Sequence, residues 1–383
     1  MQAPSSPPPF DDLFAQLNDT RYPRLVYYPL NEVLFLVLIA SLCGCDKLTG
    51  MIVFGEEKLY WLRKYYPYKH GIPSHDTLSR VLGMINKKNF ELLFVDWVAK
   101  YFKVPAQTLL QIDGKHISGS ANHQDKVKKR VDGGKYAEMI INVYASAAGI
   151  SIAHNNISDS MDELKGALEV LDWLDVQGCC ISGDSNFCRQ KIVDKIIAKK
   201  ADYLLALKGN AKPLYEAAQQ AFADQGIEKA NFQTTDRAHG REEHRLYRAI
   251  AIEQLSADVK NYFTQNQQLI EVTRSRHLLH NDKKTTEVHY YVTSLSAPVE
   301  HLAEVIRKHW WIENKLHYVL DVYFGEDASR VRQRNAASNL SLLRKMALNL
   351  HKKHPSKGSI KSKQLRCAIS DQKRDDILKF MMR

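Results

Sequence analysis

The sequence predicts an α/β fold in which a central mixed sheet is flanked by helices. After Pro105, short apolar segments with strand character alternate with amphipathic helical segments, and such mixing is typical of a sheet with helices on its faces. Before Pro105, apolar residues recur at intervals of three and four, which indicates helices alone. We therefore expect a helical N-terminal domain, residues 1–102, followed by an α/β domain, residues 103–350.

The composition fits a globular protein that binds a polyanion. Of the 383 residues, 44% are hydrophobic and 25% are charged, which is ordinary for a chain with a sizeable core. The net charge of +11 is typical of proteins that contact nucleic acid or an anionic membrane surface. Residues 351–383 form a basic C-terminal tail, which is interpreted either as a solvated segment or as one that contacts phosphates.

Cysteine usage and the longest apolar run favour a cytoplasmic protein with no membrane partner. The 6 cysteines show neither a Cys-x-x-Cys pair nor a paired zinc spacing, so reduced thiols are expected rather than a disulfide framework or structural zinc. The apolar run 33–45 is too short to span a bilayer and predicts a buried helix.

In the N-terminal domain, Ser74 precedes a helical run and is a candidate N-cap. This helix suits either a DNA-reading helix-turn-helix or an ordinary helical bundle, so DNA binding by residues 1–102 is a hypothesis.

The segments after Pro105 supply the elements of the sheet in order. Residues 210–300 interrupt the alternation with strand candidates and are interpreted as a β-rich insertion, after which a long helix begins near residue 298. Strands of the central sheet are predicted in the segments 109–113, 139–156 (a hairpin around Ala148-Gly149), 179–184 and 202–209.

Three carboxylates stand where a metal site could form. Asp113 and Asp184 each follow a short apolar strand, and functional side chains emerge at such strand ends. Glu313 is predicted to lie on the apolar, core-facing stripe of the long helix, where a carboxylate needs a partner or a metal. Mg²⁺ and Mn²⁺ prefer such oxygen ligands. As competing interpretations, either Asp could simply be a solvated acid in a turn, and Glu313 could form a salt bridge.

The chain resembles the H-repeat-associated branch of insertion-sequence transposases, which have a ribonuclease H-like catalytic core. The resemblance covers almost the whole chain and is carried by the segments QIDGK (111–115), DYLLALKGN (202–210), HGREEHR (239–245) and the long segment 309–350, which begins HWWIENKLHYVLDV.

This resemblance implies a DDE triad of Asp113, Asp184 and Glu313 that holds two Mg²⁺ or Mn²⁺ ions. It further implies cleavage and transfer of double-stranded DNA at insertion-element ends by a homodimer, in a nucleoid-associated protein. The alternative is a catalytically decayed or co-opted DNA-binding protein. Two departures from the family pattern favour that alternative. The segment that starts at the second acid is DSNFC (184–188), where relatives commonly have DAMGC. Related transposases share a signature with Tyr, Arg and Lys at fixed spacings from the third acid. Counted from Glu313, these three positions hold Ile306, His309 and Leu320.

Further residues are candidates for DNA contact, each with a structural alternative. For Lys115 and the residues of the long helix, the alternative is a surface or packing role. Residues 239–241 could instead form a hairpin turn. The arginines after Glu326-Asp327 could instead form ion pairs with these two acids. Glu326 is also a reserve third acid. The candidates are Lys115, His239, Arg241, His309, Asn314, His317, Arg330 and Arg332, with Arg334 continuing the alternation.

Overall fold

The computed structural model describes residues 10–121, 137–157, 163–238, 240–280 and 282–381. Up to Tyr101 the described chain is helical, as the apolar spacing predicts. Ser74 caps its helix because its hydroxyl oxygen accepts the Thr77 N–H, so the predicted N-cap is confirmed. The helices are α1 (Asp11–Phe14), α2 (Leu30–Leu42), α3 (Leu48–Glu57), α4 (Leu59–Leu62), α5 (His75–Met84) and α6 (Lys87–Tyr101).

These helices form a bundle around α2, whose apolar sequence is buried on nearly every side. Its one buried carboxylate, Glu32, accepts the N–H of Tyr68 at 2.8 Å, which satisfies part of the hydrogen-bonding need of a buried acid. Residues 63–74 separate α4 from α5, whereas a helix-turn-helix needs a turn of about 3–4 residues. Only residues 85 and 86 separate α5 from α6, so the helix-turn-helix interpretation stays a prediction for that pair.

The first five strands form a mixed sheet in the order β3-β2-β1-β4-β5. Strands β1 to β3 pair antiparallel, while β4 and β5 run parallel to β1. Gly149 makes the predicted β2–β3 turn with φ of +70°, a conformation that glycine adopts readily. The predicted mixed sheet flanked by helices is confirmed. Its elements are β1 (Leu109–Ile117), β2 (Glu138–Ala145), β3 (Ile150–Ile157), α7 (Glu163–Trp173), β4 (Cys180–Gly183), α8 (Gln190–Ala198) and β5 (Asp202–Leu207).

The β-rich segment extends the central sheet instead of forming a separate layer. Its last strand pairs antiparallel with β5 from Leu204↔Thr293 onward, and the sheet then continues through three more strands to nine in all within the described residues. The predicted insertion thus widens the sheet on one side of the core. Its elements are α9 (Lys212–Ala223), β6 (Ala230–Ala238), β7 (Arg241–Ala251), α10 (Ala257–Lys260), β8 (Gln268–Leu278) and β9 (Lys283–Thr293).

The long helix expected after residue 298 is interrupted and is followed by three further helices. Near Trp310 the α-helical pattern stops, and a π-helical turn, Glu313–His317, follows before the α-helix resumes. One of the later helices, α13, is buried along almost its whole length. The helices are α11 (Val299–His309), α12 (Tyr318–Phe324), α13 (Ala336–Lys353), α14 (Ile360–Ile369) and α15 (Asp371–Met381).

The basic C-terminal segment folds back onto the N-terminal bundle. The Arg374 guanidinium is fully buried and lies over the Trp61 ring at 4.6 Å, a cation–π arrangement. Asp375 accepts the Trp61 indole N–H at 2.8 Å and the Tyr65 hydroxyl at 2.7 Å. The solvated-tail interpretation is therefore wrong for residues 360–381, because aromatic side chains of the bundle bind its charged groups. Among the described helices, none combines the length and apolar character that a membrane crossing requires.

Candidate active site

Asp113 and Asp184 lie side by side where β1 and β4 separate. The parallel pairing of the two strands ends at Ile112↔Gly183, so the next residues of both strands are these two acids. Asp113 does not end its strand as predicted, because β1 continues to Ile117 on its pairing with β2. The gap opens instead because β4 ends, and the Asp184 carboxylate then accepts the Asn186 N–H at 2.9 Å.

Glu163, the first residue of α7, is a fourth acid at this position. A Cβ added at Gly114 would overlap its carboxylate, so Gly114 permits a close approach rather than a turn. Glu163 also accepts the Asn186 amide at 3.1 Å and thereby links α7 to the turn after Asp184. Glu163 was not a predicted site residue, because a carboxylate in the first turn of a helix is also explained by the helix dipole.

Glu313 is exposed at the rim of the same crevice, which corrects its predicted core-facing position. The prediction assumed one regular α-helix from residue 298 onward. The interruption near Trp310 and the π turn rotate the chain, so Ile312 and Leu316 take the core side. A π turn of this kind is frequent at functional sites. Here it begins at Glu313.

The three acids are close enough to one another for their charges to interact. Burial raises the pKa of Asp113 to about 8, and the carboxylates of Asp184, Glu313 and Glu163 add to this effect. Burial and the nearby Asp184 likewise raise the pKa of Glu163. Neighbouring carboxylates therefore concentrate negative charge here, which favours binding of a divalent cation. Within the described residues, no three potential ligands are close enough together to hold a metal as they stand.

His317, at the other end of the π turn, orients Asp113. The Asn142 amide nitrogen lies 3.2 Å from His317 Nε2 and can only donate. Burial lowers the pKa of His317 to about 3, so the ring is neutral and has its proton on Nδ1. Nδ1 lies 3.5 Å from Asp113 Oδ2. His317 was a candidate DNA contact, and its burial places it beneath the acids instead.

We expect His317→Ala to lower the free energy of unfolding by about 1–3 kcal/mol, because the buried Asn142 amide loses its acceptor. Affinity for duplex DNA should be unchanged when measured without divalent ions. Chemical denaturation and fluorescence anisotropy would check the two expectations. A fall in DNA affinity at unchanged stability would instead return His317 to the DNA interface.

Lys115 and Glu326 belong to a buried ion-pair network and not to the crevice. Lys115 contacts Asp321 and lies 3.0 Å from Glu326, which is 1% exposed. Glu326 also accepts the Ser341 hydroxyl at 2.6 Å and lies 3.7 Å from Lys345. Burial acts to raise the pKa of Glu326, but Lys345 and Lys115 outweigh it and hold that pKa well below its ordinary value. Glu326 as third acid and Lys115 as phosphate contact are both corrected, since these charges neutralise one another.

The other candidates on the long helix lie on opposite sides of it. His309 is buried, 3.2 Å from the Ser182 hydroxyl, and burial lowers its pKa to about 4. It is therefore a packing residue that ties α11 to β4, which corrects its DNA-contact assignment. Asn314 is exposed, and its amide donates to the Trp310 carbonyl at 3.0 Å. It lines an open groove of about 820 Å³ beside Glu313, between α11 and the insertion strands.

The arginines along this groove are already paired with carboxylates. Arg241 lies 3.1 Å from Glu243, and Arg307 lies 3.0 Å from Asp236. Gly240 has a φ of +70° and lies in the turn between the antiparallel strands β6 and β7. This is the hairpin turn that was the alternative to DNA contact for this segment. His239 lies outside the described residues. Phosphate contact by Arg241 would have to break or share its ion pair.

Arg330 and Arg332 are exposed, and neither pairs with the acids that precede them. Glu326 is bound within the network described above, and Asp327 accepts the Ser118 N–H at 2.8 Å. Arg332 donates to the Gly119 carbonyl at 3.3 Å. Ion pairing with the acidic pair, the alternative to phosphate contact, is therefore wrong for the described residues.

The family of the chain follows from its match to known domains. A model described as the transposase DDE domain matches residues 105–350. The chain belongs to the DDE transposase family. A second model, described as DDE_Tnp_1-associated, matches residues 12–98 of the transposase. The helical region and the sheet domain thus each correspond to a recognised unit.

Relatives of the transposase support the same assignment. It is 33% identical over 365 residues to "Putative transposase YncI" of Escherichia coli O157:H7, covering 94% of this chain and 91% of that one. It is 30% identical over 337 residues to "H repeat-associated putative transposase YhhI" of Escherichia coli strain K12, covering 87% of each. The H-repeat-associated resemblance is confirmed. A piggyBac transposase in a synaptic complex with hairpin DNA aligns with 98% of this chain and 82% of that chain, at a TM-score of 0.46 and 9% identity.

Proposed function

We propose that this transposase cleaves and rejoins double-stranded DNA at the ends of an insertion element, with Asp113, Asp184 and Glu313 as its catalytic acids. The observation that carries the proposal is the placement of Asp113 and Asp184 side by side where β1 and β4 separate. Glu313 is close enough for its charge to help raise the pKa of Asp113. Such a concentration of negative charge is unfavourable unless a cation occupies the crevice.

The residues fit Mg²⁺ or Mn²⁺, which prefer carboxylate oxygens. Two such ions would activate the attacking oxygen and stabilise the leaving oxygen of phosphoryl transfer. Asp113, Asp184 and Glu313 would hold these ions, because the charges of Asp184 and Glu313 both act on Asp113. His317 and Asn142 hold the Asp113 carboxylate in one orientation, and Asn186 does the same for Asp184.

The departures noted in the sequence do not favour a decayed protein. The altered loop after Asp184 forms a short 3₁₀ turn in which the Asp184 carboxylate caps the chain, so the acid still points to the edge of β4. The signature places at Ile306, His309 and Leu320 are buried, so these residues stabilise the helix packing. Phosphate contacts would then come from other cations of the transposase.

The proposal is tested with purified protein, labelled element-end DNA and Mn²⁺. Wild type should nick or cut at the element end, and Glu313→Gln should reduce the rate by at least about 10³-fold, in line with loss of a major electrostatic contribution to catalysis. Because Glu313 is exposed, the substitution should change the free energy of unfolding by no more than about 0.5 kcal/mol, as ordinary surface substitutions do.

A matched control is Glu300→Gln, a carboxylate that lines the groove but lies in the first turn of α11, away from the acids. Its cleavage rate should equal that of wild type. Binding without any cleavage by wild type, in either metal, would contradict the proposal. Synapsis of two element ends by a homodimer is part of the proposal, and sedimentation of the DNA complex would measure its stoichiometry.

A further inference from the structure

A row of arginines follows α12 on a non-helical segment, residues 330–334. Arg330, Arg332 and Arg334 are all exposed. Gln333 packs against α5 through its backbone. Its carbonyl oxygen lies 2.6 Å from the place where a Cβ on Gly83 would stand. The segment therefore rests directly on α5 of the N-terminal bundle, with its arginines turned to solvent.

This segment is held in place at both ends. The Asn335 amide donates to the Ile85 carbonyl at 2.9 Å, and Arg332 donates to the Gly119 carbonyl at 3.3 Å. Arg334 has φ of +44°, in the left-handed region that non-glycine residues seldom adopt. Strained conformations of this kind persist where the surroundings enforce them, and they are frequent at binding sites.

The charges of these arginines are uncompensated. None of the three guanidinium groups forms an ion pair with a described residue. Most arginines of the insertion differ, since for example Arg248 pairs with Glu271 and Arg274 with Glu287. A cation without a carboxylate partner can bind a phosphate at no cost in lost ion pairs.

Cations of the N-terminal bundle complete the surface. A cavity of about 570 Å³ brings Lys47 and His75 together with Arg330 and Arg332. A neighbouring cavity of about 520 Å³ brings Arg80 together with Arg334. Both cavities are lined by residues of the bundle and of the segment 330–334. Asp46 also lines the first cavity, and Asp76 lies 3.1 Å from His75. The surface is therefore a strip, crossing the junction between the two domains, on which cations outnumber carboxylates.

We infer that this strip, formed by Lys47, Arg80, Arg330, Arg332 and Arg334, binds the phosphate backbone of duplex DNA. The identity of the nucleic acid rests on the proposed function. The strip shares no lining residue with the groove beside Glu313. It is therefore a second DNA contact that positions the duplex on both domains, while the crevice of acids handles the reacting phosphate.

The test compares two triple variants in DNA binding without divalent ions. One is Arg330→Ala/Arg332→Ala/Arg334→Ala. The control, Lys191→Ala/Lys212→Ala/Lys361→Ala, removes the same charge from exposed positions on α8, α9 and α14. Each lost phosphate contact lowers the slope of log affinity against log salt by about 0.9. We expect the slope to fall by about 2–3 and the affinity to fall at least about tenfold in the first variant alone.

Gly83→Ala tests the placement of the segment without removing charge. The added methyl group would meet the Gln333 carbonyl at 2.6 Å, so the segment must move. We expect a several-fold loss of duplex affinity while circular dichroism shows an unchanged fold. An unchanged affinity in both Gly83→Ala and the arginine variant would overturn the inference.

Other outcomes separate this inference from the proposed function. Equal losses in the arginine variant and its lysine control would overturn the strip alone, since cleavage by wild type would still stand. Loss of affinity for single-stranded DNA only would show that a duplex is the wrong occupant. Failure of wild type to cleave, combined with the expected loss in the arginine variant, would overturn the proposed function and leave the strip in place.

Discussion

Asp113→Asn should abolish Mn²⁺-dependent cleavage while leaving affinity for element-end DNA intact. The Asp113 carboxylate is close enough to Asp184 and Glu313 to feel both charges. An amide of the same shape cannot supply the negative charge that a divalent ion needs. A fall of about 10³-fold or more in the single-turnover rate is expected. Cleavage at a comparable rate in the variant would remove Asp113 from the site.

The same substitution should stabilise the metal-free protein. The pKa of Asp113 is about 8 in the folded state and near the ordinary value of about 3.9 in the unfolded state. Between these two values the folded state binds more protons, so the carboxyl lowers the free energy of unfolding as the pH rises. At about 1.4 kcal/mol per pKa unit, we expect Asp113→Asn to be more stable by about 2 kcal/mol or more at pH 8.5 and by less at pH 5.5.

Metal addition supplies the control for this stability effect. Mg²⁺ or Mn²⁺ should raise the unfolding midpoint of wild type at pH 7.5, because an ion that binds only the folded state stabilises it by mass action. The midpoint of Asp113→Asn should respond much less. Denaturation in a chelator and in each metal would measure both proteins. Equal metal responses would show that the ion binds elsewhere.

Local sequence patterns predicted the sheet but not the way it opens at the site. The apolar segments that lead to Asp113 and Asp184 were predicted to be strands, and both are strands. The crevice depends on the lengths of neighbouring strands, since β4 ends at Gly183 while β1 continues to Ile117. A single strand's sequence gives no information about the length of its partner. Asp113 was therefore predicted at a strand end and lies within its strand.

The helix that carries Glu313 shows a second limit of periodicity. Neighbours at three and four placed this acid on the core side, because the reasoning assumed an uninterrupted helix. The π turn at Glu313–His317 shifts the register, and it depends on contacts made far away in the chain. His317 meets Asn142 on β2. Glu163 was missed for a related reason, since its role appears only when α7 packs across Gly114.

Charge counting was least informative where charges are buried. The basic residues of α13 and α15 contribute to the +11 net charge, yet Arg344, Lys345 and Arg374 are buried. Some of their partners lie far away in sequence and could not be assigned from spacing, such as the Asp46 carbonyl for Arg344 and the Trp61 ring for Arg374. Only cations that find no carboxylate, such as Arg330 and Arg334, remain available to a polyanion. Net charge thus predicted the class of partner, and the fold decides which cations meet it.

Glu326→Gln should be the most destabilising single change among the acids. The variant leaves Lys115 and Lys345 beside each other without the carboxylate that both contact, and removing one member of a buried ion pair costs about 3–5 kcal/mol. Glu313→Gln, on the exposed π turn, should change the free energy of unfolding by no more than about 0.5 kcal/mol. Chemical denaturation of the two variants would separate the structural acid from the catalytic one.

The stability deficit of Glu326→Gln should itself depend on pH. Burial lowers the pKa of Lys345 to about 8 even with Glu326 present, and loss of the carboxylate should lower it more. The folded variant then sheds a proton that the unfolded chain keeps up to about pH 10, so its stability deficit should shrink as the pH rises from 7 to about 8. Above that pH the deficit should level off, because Lys345 of wild type has lost its proton as well. Glu326→Gln/Lys345→Met should recover part of the loss at neutral pH, because it removes one of the two uncompensated charges. A deficit that grows with pH, or a double variant no more stable than the single one, would show that Glu326 stabilises the fold by some route other than these lysines.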